Sequence, residues 1–178
     1  SKCPEALVCV DVTSSAAGAK IDFDAIDIDI AVGGVQKAWA LPAALAFGAM
    51  SKRARARFEE VPGRGYTNDF ACALEYQDSK GMTSTTPAIP IIQALRVQLG
   101  DIAASGGFAA RFDRHLEMQR MVLDWAGKHG FSILAREGFR SPTVTSIGCD
   151  GRFEMPKLVA GYREAGYFIT GGYGKTKE

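Results

Sequence analysis

The sequence has 178 residues, of which 47% are hydrophobic and 23% are charged, and this balance is typical of a folded globular protein. Its formal net charge of +1 gives no electrostatic reason to expect a nucleic acid or an anionic membrane as a partner. No run approaches the ~20 apolar residues that a membrane span requires. The four cysteines and two histidines lack metal-ligand spacing. We therefore expect no metal site, and reduced thiols in a cytoplasmic protein, with Cys9 and Cys149 buried.

The first half of the chain predicts a sheet followed by a helix. Residues 6–10 and 28–32 are short apolar runs, typical of strands that are buried on both faces of a parallel sheet. A third apolar run at 45–50 predicts another strand. Ser51 then predicts the N-cap of a helix that continues through Arg57.

The second half predicts two helices and then a mixed region. Residues 62–85 contain many Pro, Gly, Asn, Asp, Ser and Thr residues, so we expect an irregular segment there. The other predicted elements are a helix from Thr86-Pro87 to Gly106, a helix from Phe108 to Gly130, strands at 131–134, 143–147 and 167–170, and a helix at 156–165. We therefore expect an α/β domain over residues 1–105 and a smaller α+β domain over 106–178.

Two polar residues follow the first two predicted strands. Asp11 comes directly after the first strand, and Lys37 comes five residues after Val32 at the end of the second. Ligands of open α/β sheets bind outside the carboxyl ends of the strands, so both side chains can reach one crevice. An amine and a carboxylate are the groups that a pyridoxal cofactor requires. By position alone, a solvated surface lysine is the commoner explanation of Lys37, and a loop-capping residue is the commoner explanation of Asp11.

Asp11 and Lys37 also belong to a longer pattern. Residues 10–15 read Val-Asp-Val-Thr-Ser-Ser, and residues 34–37 read Gly-Val-Gln-Lys, with Lys37 placed 26 residues after Asp11. This pattern resembles that of class V aminotransferases, which are fold type I enzymes that depend on pyridoxal 5′-phosphate (PLP). Further matching segments are Ser84–Pro90, Arg114-His115, Ser141–Thr145 and Gly171–Gly174.

The resemblance implies a fold and an activity. The fold is α/β: part of a PLP-binding large domain with a mostly parallel sheet and helices, followed by a small, incomplete α+β carboxy-terminal domain. The activity is transamination between a small amino acid, of the alanine, serine or phosphoserine class, and a 2-oxo acid. Covalent catalysis of this kind alternates between amino donor and oxo-acid acceptor.

The resemblance also assigns roles to individual residues. It implies that Lys37 holds PLP as a Schiff base and then shuttles the proton between substrate and cofactor. It implies that Asp11 pairs with the pyridine nitrogen and that Gln36 helps to hold the cofactor phosphate. Thr13 is expected beside the cofactor ring, although ordinary turn chemistry explains a threonine there equally well.

Two threonines further along are implied to serve a second subunit. Enzymes of this family build each site across a dimer interface, so Thr83 and Thr86 are expected to reach the phosphate bound by the neighbouring protomer of a homodimer. The competing interpretation of Thr86 is a helix N-cap.

Departures from the pattern leave alternatives open. Val35 stands where the family usually has Ser or Ala. The family's glycine-rich loop and ring-stacking aromatic lie further upstream of Lys37 than this chain reaches, and its carboxylate-binding arginine lies beyond Glu178. A second hypothesis is therefore a non-catalytic or incomplete fragment. A third is a desulfurase or lyase of the same fold, although desulfurases carry His where this chain has Gln36.

Overall fold

The computed structural model describes residues 3–66 and 69–172. The strands are β1 (Cys9–Asp11), β2 (Ile30–Gly34), β3 (Ala46–Met50), β4 (Ser132–Ile133) and β5 (Ile147–Gly148). The helices are α1 (Lys52–Glu60), α2 (Phe70–Lys80), α3 (Ile89–Ala104), α4 (Gly107–Lys128) and α5 (Met155–Glu164). Among these described residues, no helix is long and apolar enough to cross a membrane.

The first three strands form one sheet in the order β1-β2-β3. β1 and β2 are parallel and place Asp11 opposite Val32, whereas β2 and β3 are antiparallel and place Gly34 opposite Ala46. The three predicted strands are thus confirmed, each shifted or trimmed by a few residues. The parallel pair brings the carboxyl ends of β1 and β2 to the same edge of the sheet, where Asp11 and the segment after Gly34 lie.

The prediction that β1 is buried on both faces is wrong. Cys9 and Asp11 are exposed and Val10 is half-buried. Within the described residues β1 pairs only with β2, so its side chains lack the covering neighbours that the prediction assumed. Burial of Cys9 is wrong for the same reason, and Cys149 is only half-buried.

The core of this sheet lies beside the carboxyl end of β1. Its centre is formed by Val12, Ile28 and Ala31, which are each 5% exposed. Five partly buried apolar residues pack against that centre: Val10, Ala16, Ile21, Phe23 and Phe47. Because Val10 and Val12 flank Asp11, packing fixes the backbone of Asp11 while its carboxylate stays outside.

A buried carboxylate ties the sheet to α1. Asp29 is only 3% exposed and accepts hydrogen bonds from Ser51 Oγ (2.8 Å), Val8 N (2.9 Å) and Arg53 Nε (2.9 Å). A second bond from Arg53 completes a two-pronged ion pair. Ser51 also caps α1 by accepting from Ala54 N at 3.1 Å, so the predicted N-cap is confirmed. A buried carboxylate is tolerated when its oxygens are paired in this way.

Because of this network, the folding stability of the protein depends on pH. The hydrogen bond from Arg53, followed by that from Val8 N, holds the pKa of Asp29 below its ordinary value. The stabilisation is therefore present above about pH 4, the pKa region of an unfolded aspartate, and is lost as the pH falls through the lower folded pKa. We expect the urea midpoint of the wild type to fall in acid. The Asp29→Asn variant should be less stable at pH 7 and lose less on acidification, and parallel curves for the two proteins would contradict this role.

The segment predicted to be irregular contains a helix. Residues 62–85 include α2, which begins after Asp69, whose side chain accepts from Ala71 N, and ends at Gly81 with φ of 60°. An aspartate N-cap and a left-handed glycine are regular helix boundaries. The prediction of an irregular segment is therefore wrong. It was based on the turn-forming residues at both ends of the segment, and the helix lies between them.

The two central helices follow the prediction closely. α3 begins at Ile89 with Ala88 as an N-cap that has no side-chain hydrogen bond, so the interpretation of Thr86 as an N-cap is wrong. α4 ends just before Gly130, which has φ of 69°. The helices that were predicted up to Gly106 and Gly130 are thereby confirmed.

The chain divides into two compact units. One comprises residues 1–119 and 141–144, and the other comprises 120–140 and 145–178. Within the second unit, β4 and β5 form an antiparallel pair and α5 follows. The predicted strand at 167–170 is wrong, since these residues have no regular structure. The predicted domain division at residue 105 stays a prediction, and Tyr173-Gly174 lies outside the described residues.

Candidate active site

Asp11 ends β1 as an exposed carboxylate. Its Oδ1 accepts a hydrogen bond from Thr13 N at 2.8 Å, in a tight turn that immediately follows the strand. Hydrogen bonds from the hydroxyl and the backbone N–H of Thr13 hold the pKa of Asp11 below its ordinary value. Asp11 is therefore ionised at neutral pH, and its accessible side can meet a cationic group. Thr13 itself is half-buried, and its observed contact is this turn.

Lys37 lies in the loop that follows β2. Val35 is completely buried and its backbone accepts from Leu41 N at 3.2 Å, while Ala40 N donates to Lys37 O at 2.9 Å. These contacts fold residues 35–41 into a closed loop. Gln36 and Lys37 are exposed on it, so the loop is fixed by its first residue and presents the amine outward.

Gln36 folds back over the end of β2. A Cβ atom built on Gly34 would collide with Gln36 Oε1, so the absence of a side chain at Gly34 allows this position of the amide. A glycine thus makes room here for a neighbouring polar group. The Gln36 amide thus lies close to the strand end, one residue before Lys37.

The segments of Asp11 and Lys37 follow two neighbouring parallel strands, as predicted. β1 and β2 are adjacent and parallel, and Val12 N donates to Val32 O at 2.8 Å, which extends their pairing past Asp11. An exposed carboxylate and an exposed amine therefore follow neighbouring strands at one edge. The roles predicted for Asp11 and Lys37 remain predictions.

The two predicted phosphate-binding threonines lie in a different segment. Thr83 and Thr86 are exposed in the connection between α2 and α3, and Thr83 Oγ1 donates to Thr85 O at 2.6 Å. Within the described ranges, no hydrogen bond joins Thr83 or Thr86 to the loops that carry Asp11 and Lys37. Their predicted contact with the cofactor phosphate of a second protomer also remains a prediction.

Sequence reasoning missed Arg111 and Gln119, which form a polar stripe on α4 together with His115. Arg111 Nε donates to Ala17 O at 2.9 Å and its Nη2 donates to Ala38 O. His115 and Gln119 follow at helical intervals, and Gln119 donates to Ser141 O. The spacing i, i+4, i+8 is visible in the sequence, but the helix was predicted from its apolar residues, and its polar residues were not considered as a group.

Residues 3–66 and 69–172 contain no group of His, Cys, Asp and Glu side chains that could hold a metal ion.

Known proteins similar to this chain are aminotransferases. An uncharacterized aminotransferase of Methanocaldococcus jannaschii is 32% identical over 143 residues, which are 80% of this chain and 37% of that protein. The 2-aminoethylphosphonate–pyruvate transaminase of Bacillus thuringiensis is 26% identical over 169 residues, covering 92% of this chain and 45% of the relative. No family model matches. The chain spans less than half the length of these relatives.

Solved structures agree on the architecture. The alanine–glyoxylate aminotransferase of Nostoc sp. superposes with a TM-score of 0.86 at 24% identity, over 97% of this chain and 47% of that one. The chain therefore has the fold of part of a fold type I PLP aminotransferase. Its relatives and structural neighbours are class V aminotransferases, and the resemblance predicted from residues 10–15 and 34–37 is confirmed.

Proposed function

We propose that the protein carrying this chain catalyses PLP-dependent transamination between a small amino acid and a 2-oxo acid, with Lys37 as the covalent anchor. The observation that carries the proposal is the parallel pairing of β1 and β2. It supplies a carboxylate whose pKa is lowered and an exposed lysine at one sheet edge. The names of the relatives, which are aminotransferases, support the reaction class.

The residues at this edge fit the cofactor. PLP supplies an aldehyde for imine formation and a protonated pyridine ring that accepts electrons from the substrate. Lys37 is the amine available to the aldehyde. Asp11 remains an anion because Thr13 donates to it, and an anion is what keeps a pyridine nitrogen protonated. Gln36, whose amide lies beside Gly34, has an amide donor suited to a phosphate oxygen.

The proposed chemistry divides between Lys37 and Asp11. The Lys37 amine would hold the cofactor and, when free, would accept and return the substrate Cα proton as a general base and acid. Asp11 would stay anionic and keep the proton on the ring nitrogen. The buried Val35 fixes the backbone of the loop that carries Lys37.

The proposed reaction is tested by spectroscopy of its two halves. The full-length protein with PLP should lose its yellow absorbance when an amino donor is added and regain it when pyruvate or glyoxylate follows. Alanine, serine, phosphoserine and 2-aminoethylphosphonate form the donor panel, the last because a relative is named for it. Release of ammonia from serine without reversible bleaching would instead indicate a lyase. Conversion of cysteine to alanine, with release of sulfide in the presence of a thiol reductant, would indicate a desulfurase. A protein that binds PLP but is bleached by no donor would be non-catalytic.

Assembly forms part of the proposal. We infer a homodimer in which Thr83 and Thr86 approach the phosphate bound by the partner, since both residues are exposed and neither caps α3. Free thiols at Cys9, Cys72 and Cys149 are compatible with the reducing cytoplasm in which we place the enzyme.

The Thr86→Ala variant tests that assignment. One charge-assisted hydrogen bond to phosphate contributes roughly 1.5–3 kcal/mol, so the PLP dissociation constant should rise by about tenfold or more while the dimer persists. Thr85→Ala is the matched control, because Thr85 is exposed in the same segment and has no proposed phosphate contact. Equal PLP affinity in the wild type and the Thr86→Ala variant, measured by equilibrium titration, would remove Thr86 from the site.

A further inference from the structure

Arg111 connects the two loops of the candidate site. Its guanidinium donates from Nε to Ala17 O at 2.9 Å and from Nη2 to Ala38 O. Ala17 lies in the loop that begins at Asp11, and Ala38 directly follows Lys37. One half-buried side chain on α4 therefore holds the main chain of both segments. Its planar, fixed arrangement of donors allows two carbonyls to be held at a set separation.

Packing at the same place leaves little freedom. A Cβ atom built on Gly18 would collide with Thr143 Cγ2 and would lie 2.9 Å from Ala38 Cβ and 3.3 Å from His115 Cδ2. The Asp11 loop, the Lys37 loop and α4 are thus in direct contact around Gly18. Interiors packed this closely transmit a displacement of one segment to the next.

The two loops are also held in unfavourable backbone conformations. Ala17 has φ of 69° and Ala40 has φ of 59°, a region that residues with a Cβ seldom occupy. Such conformations persist where the surrounding structure fixes them, and they concentrate at functional sites. The bond from Arg111 to Ala17 O is a direct restraint on one of them.

The position of Arg111 disfavours its charged form. Burial, and then the nearby charge of Arg114, lower the pKa of Arg111 from its ordinary value, so the cation is disfavoured where it lies. The carbonyl oxygens of Ala17 and Ala38 provide the compensating acceptors. Arg111 and Arg114 both line an open cavity of about 330 Å³. Among the described residues, Arg114 donates no hydrogen bond to either loop.

We propose that Arg111 is a positioning residue, which sets the separation of Asp11 and Lys37 by fixing the loops that carry them. This inference rests on the proposed function, because it assigns Arg111 a purpose only if Asp11 and Lys37 share a cofactor. Arg111 itself touches neither side chain. Its effect passes through the backbone of Ala17 and Ala38, so the shape of its donor group matters in addition to its charge.

The test compares Arg111→Lys, Arg111→Gln and Arg114→Gln in the full-length protein with PLP. Lysine keeps the charge but cannot bind two separated carbonyls in one plane. Both Arg111 variants should therefore raise the PLP dissociation constant by about tenfold or more, the scale of a lost charge-assisted bond. They should also weaken the visible circular dichroism of the bound cofactor, lower the fraction fixed to Lys37 by borohydride, and reduce kcat more than they change KM. Arg114→Gln should leave all four measurements at wild-type values.

The outcomes separate this inference from the proposed function. If wild-type protein forms no adduct at Lys37, the proposed function fails and takes the inference with it. If the wild type forms the adduct and Arg111→Lys matches it in affinity, dichroism and adduct yield, Arg111 has no positioning role. Equal losses in Arg114→Gln would show a general charge effect and would also overturn the inference. Unfolding of both Arg111 variants under conditions where Arg114→Gln is folded would assign Arg111 to the fold rather than to the site.

Discussion

Replacing Lys37 with alanine should abolish both covalent attachment of PLP and transamination. Lys37 is the amine on the closed loop after β2, so its removal eliminates the proposed imine partner and the group proposed to move the substrate proton. Proton transfer by a positioned side chain is alone worth about 10²–10⁴-fold in rate, and losing the covalent step adds to that. We expect residual turnover near the level of free PLP in solution.

The measurement is peptide mapping after borohydride reduction of the yellow protein. The cofactor should be found on the peptide that contains Lys37 and should be absent from the Lys37→Ala variant. Lys20→Ala and Lys52→Ala are matched controls, because both lysines are exposed and lie on neighbouring segments of the same unit. Labelling at Lys20 or Lys52 in the wild type would show that the assignment of Lys37 is incorrect.

The Lys37→Ala substitution should leave the free energy of unfolding nearly unchanged. Lys37 is exposed, and the loop is held by the buried Val35 and by backbone hydrogen bonds from Leu41 N and Ala40 N. Exposed substitutions away from packed contacts usually change the free energy of unfolding by within about 0.5 kcal/mol. A variant that loses activity while keeping the urea midpoint of the PLP-free protein therefore reports on chemistry rather than on folding.

The sequence predicted the parts of this structure that depend on local pattern. The apolar runs predicted the first three strands, and Ser51 predicted the start of α1. The glycines near 106 and 130 predicted the ends of α3 and α4. Asp11 and Lys37 could be placed at one edge because the carboxyl ends of parallel neighbouring strands coincide there. The resemblance to class V aminotransferases was visible for the same reason, since its residues follow these strand ends.

Features that depend on contacts between distant segments could not be predicted in this way. Asp29 sits inside an apolar strand run and resembles an interruption until Arg53 and Ser51, more than 20 residues away, supply its partners. Arg111 lies 94 residues from Ala17, and no local pattern reports that separation. The exposure of Cys9 and Asp11 on β1 likewise depends on contacts with other segments rather than on the local pattern of residues.

Replacing Asp11 with asparagine should separate cofactor binding from catalysis. Asparagine keeps the size of the side chain and an Oδ1 atom that can accept from Thr13 N, the bond observed at 2.8 Å. The turn after β1 should therefore persist, and PLP should still become fixed to Lys37. The negative charge is lost, however, and with it the group that we propose keeps the pyridine nitrogen protonated.

The expected result is a yellow protein whose half-reaction with an amino donor is slowed by about 10²–10³-fold, the scale of removing one preorganised electrostatic partner from a developing charge. Hydrogen bonds from Thr13 hold the pKa of Asp11 low, so the wild-type carboxylate stays ionised across the neutral pH range and the rate difference should persist there. Asp24→Asn, at an exposed aspartate of the same unit, is the control and should react at the wild-type rate. Stopped-flow bleaching measures the rates, and borohydride adduct yield measures cofactor retention. An Asp11→Asn variant that retains the adduct and reacts as fast as the Asp24→Asn control would mean that another residue sustains the charge on the ring.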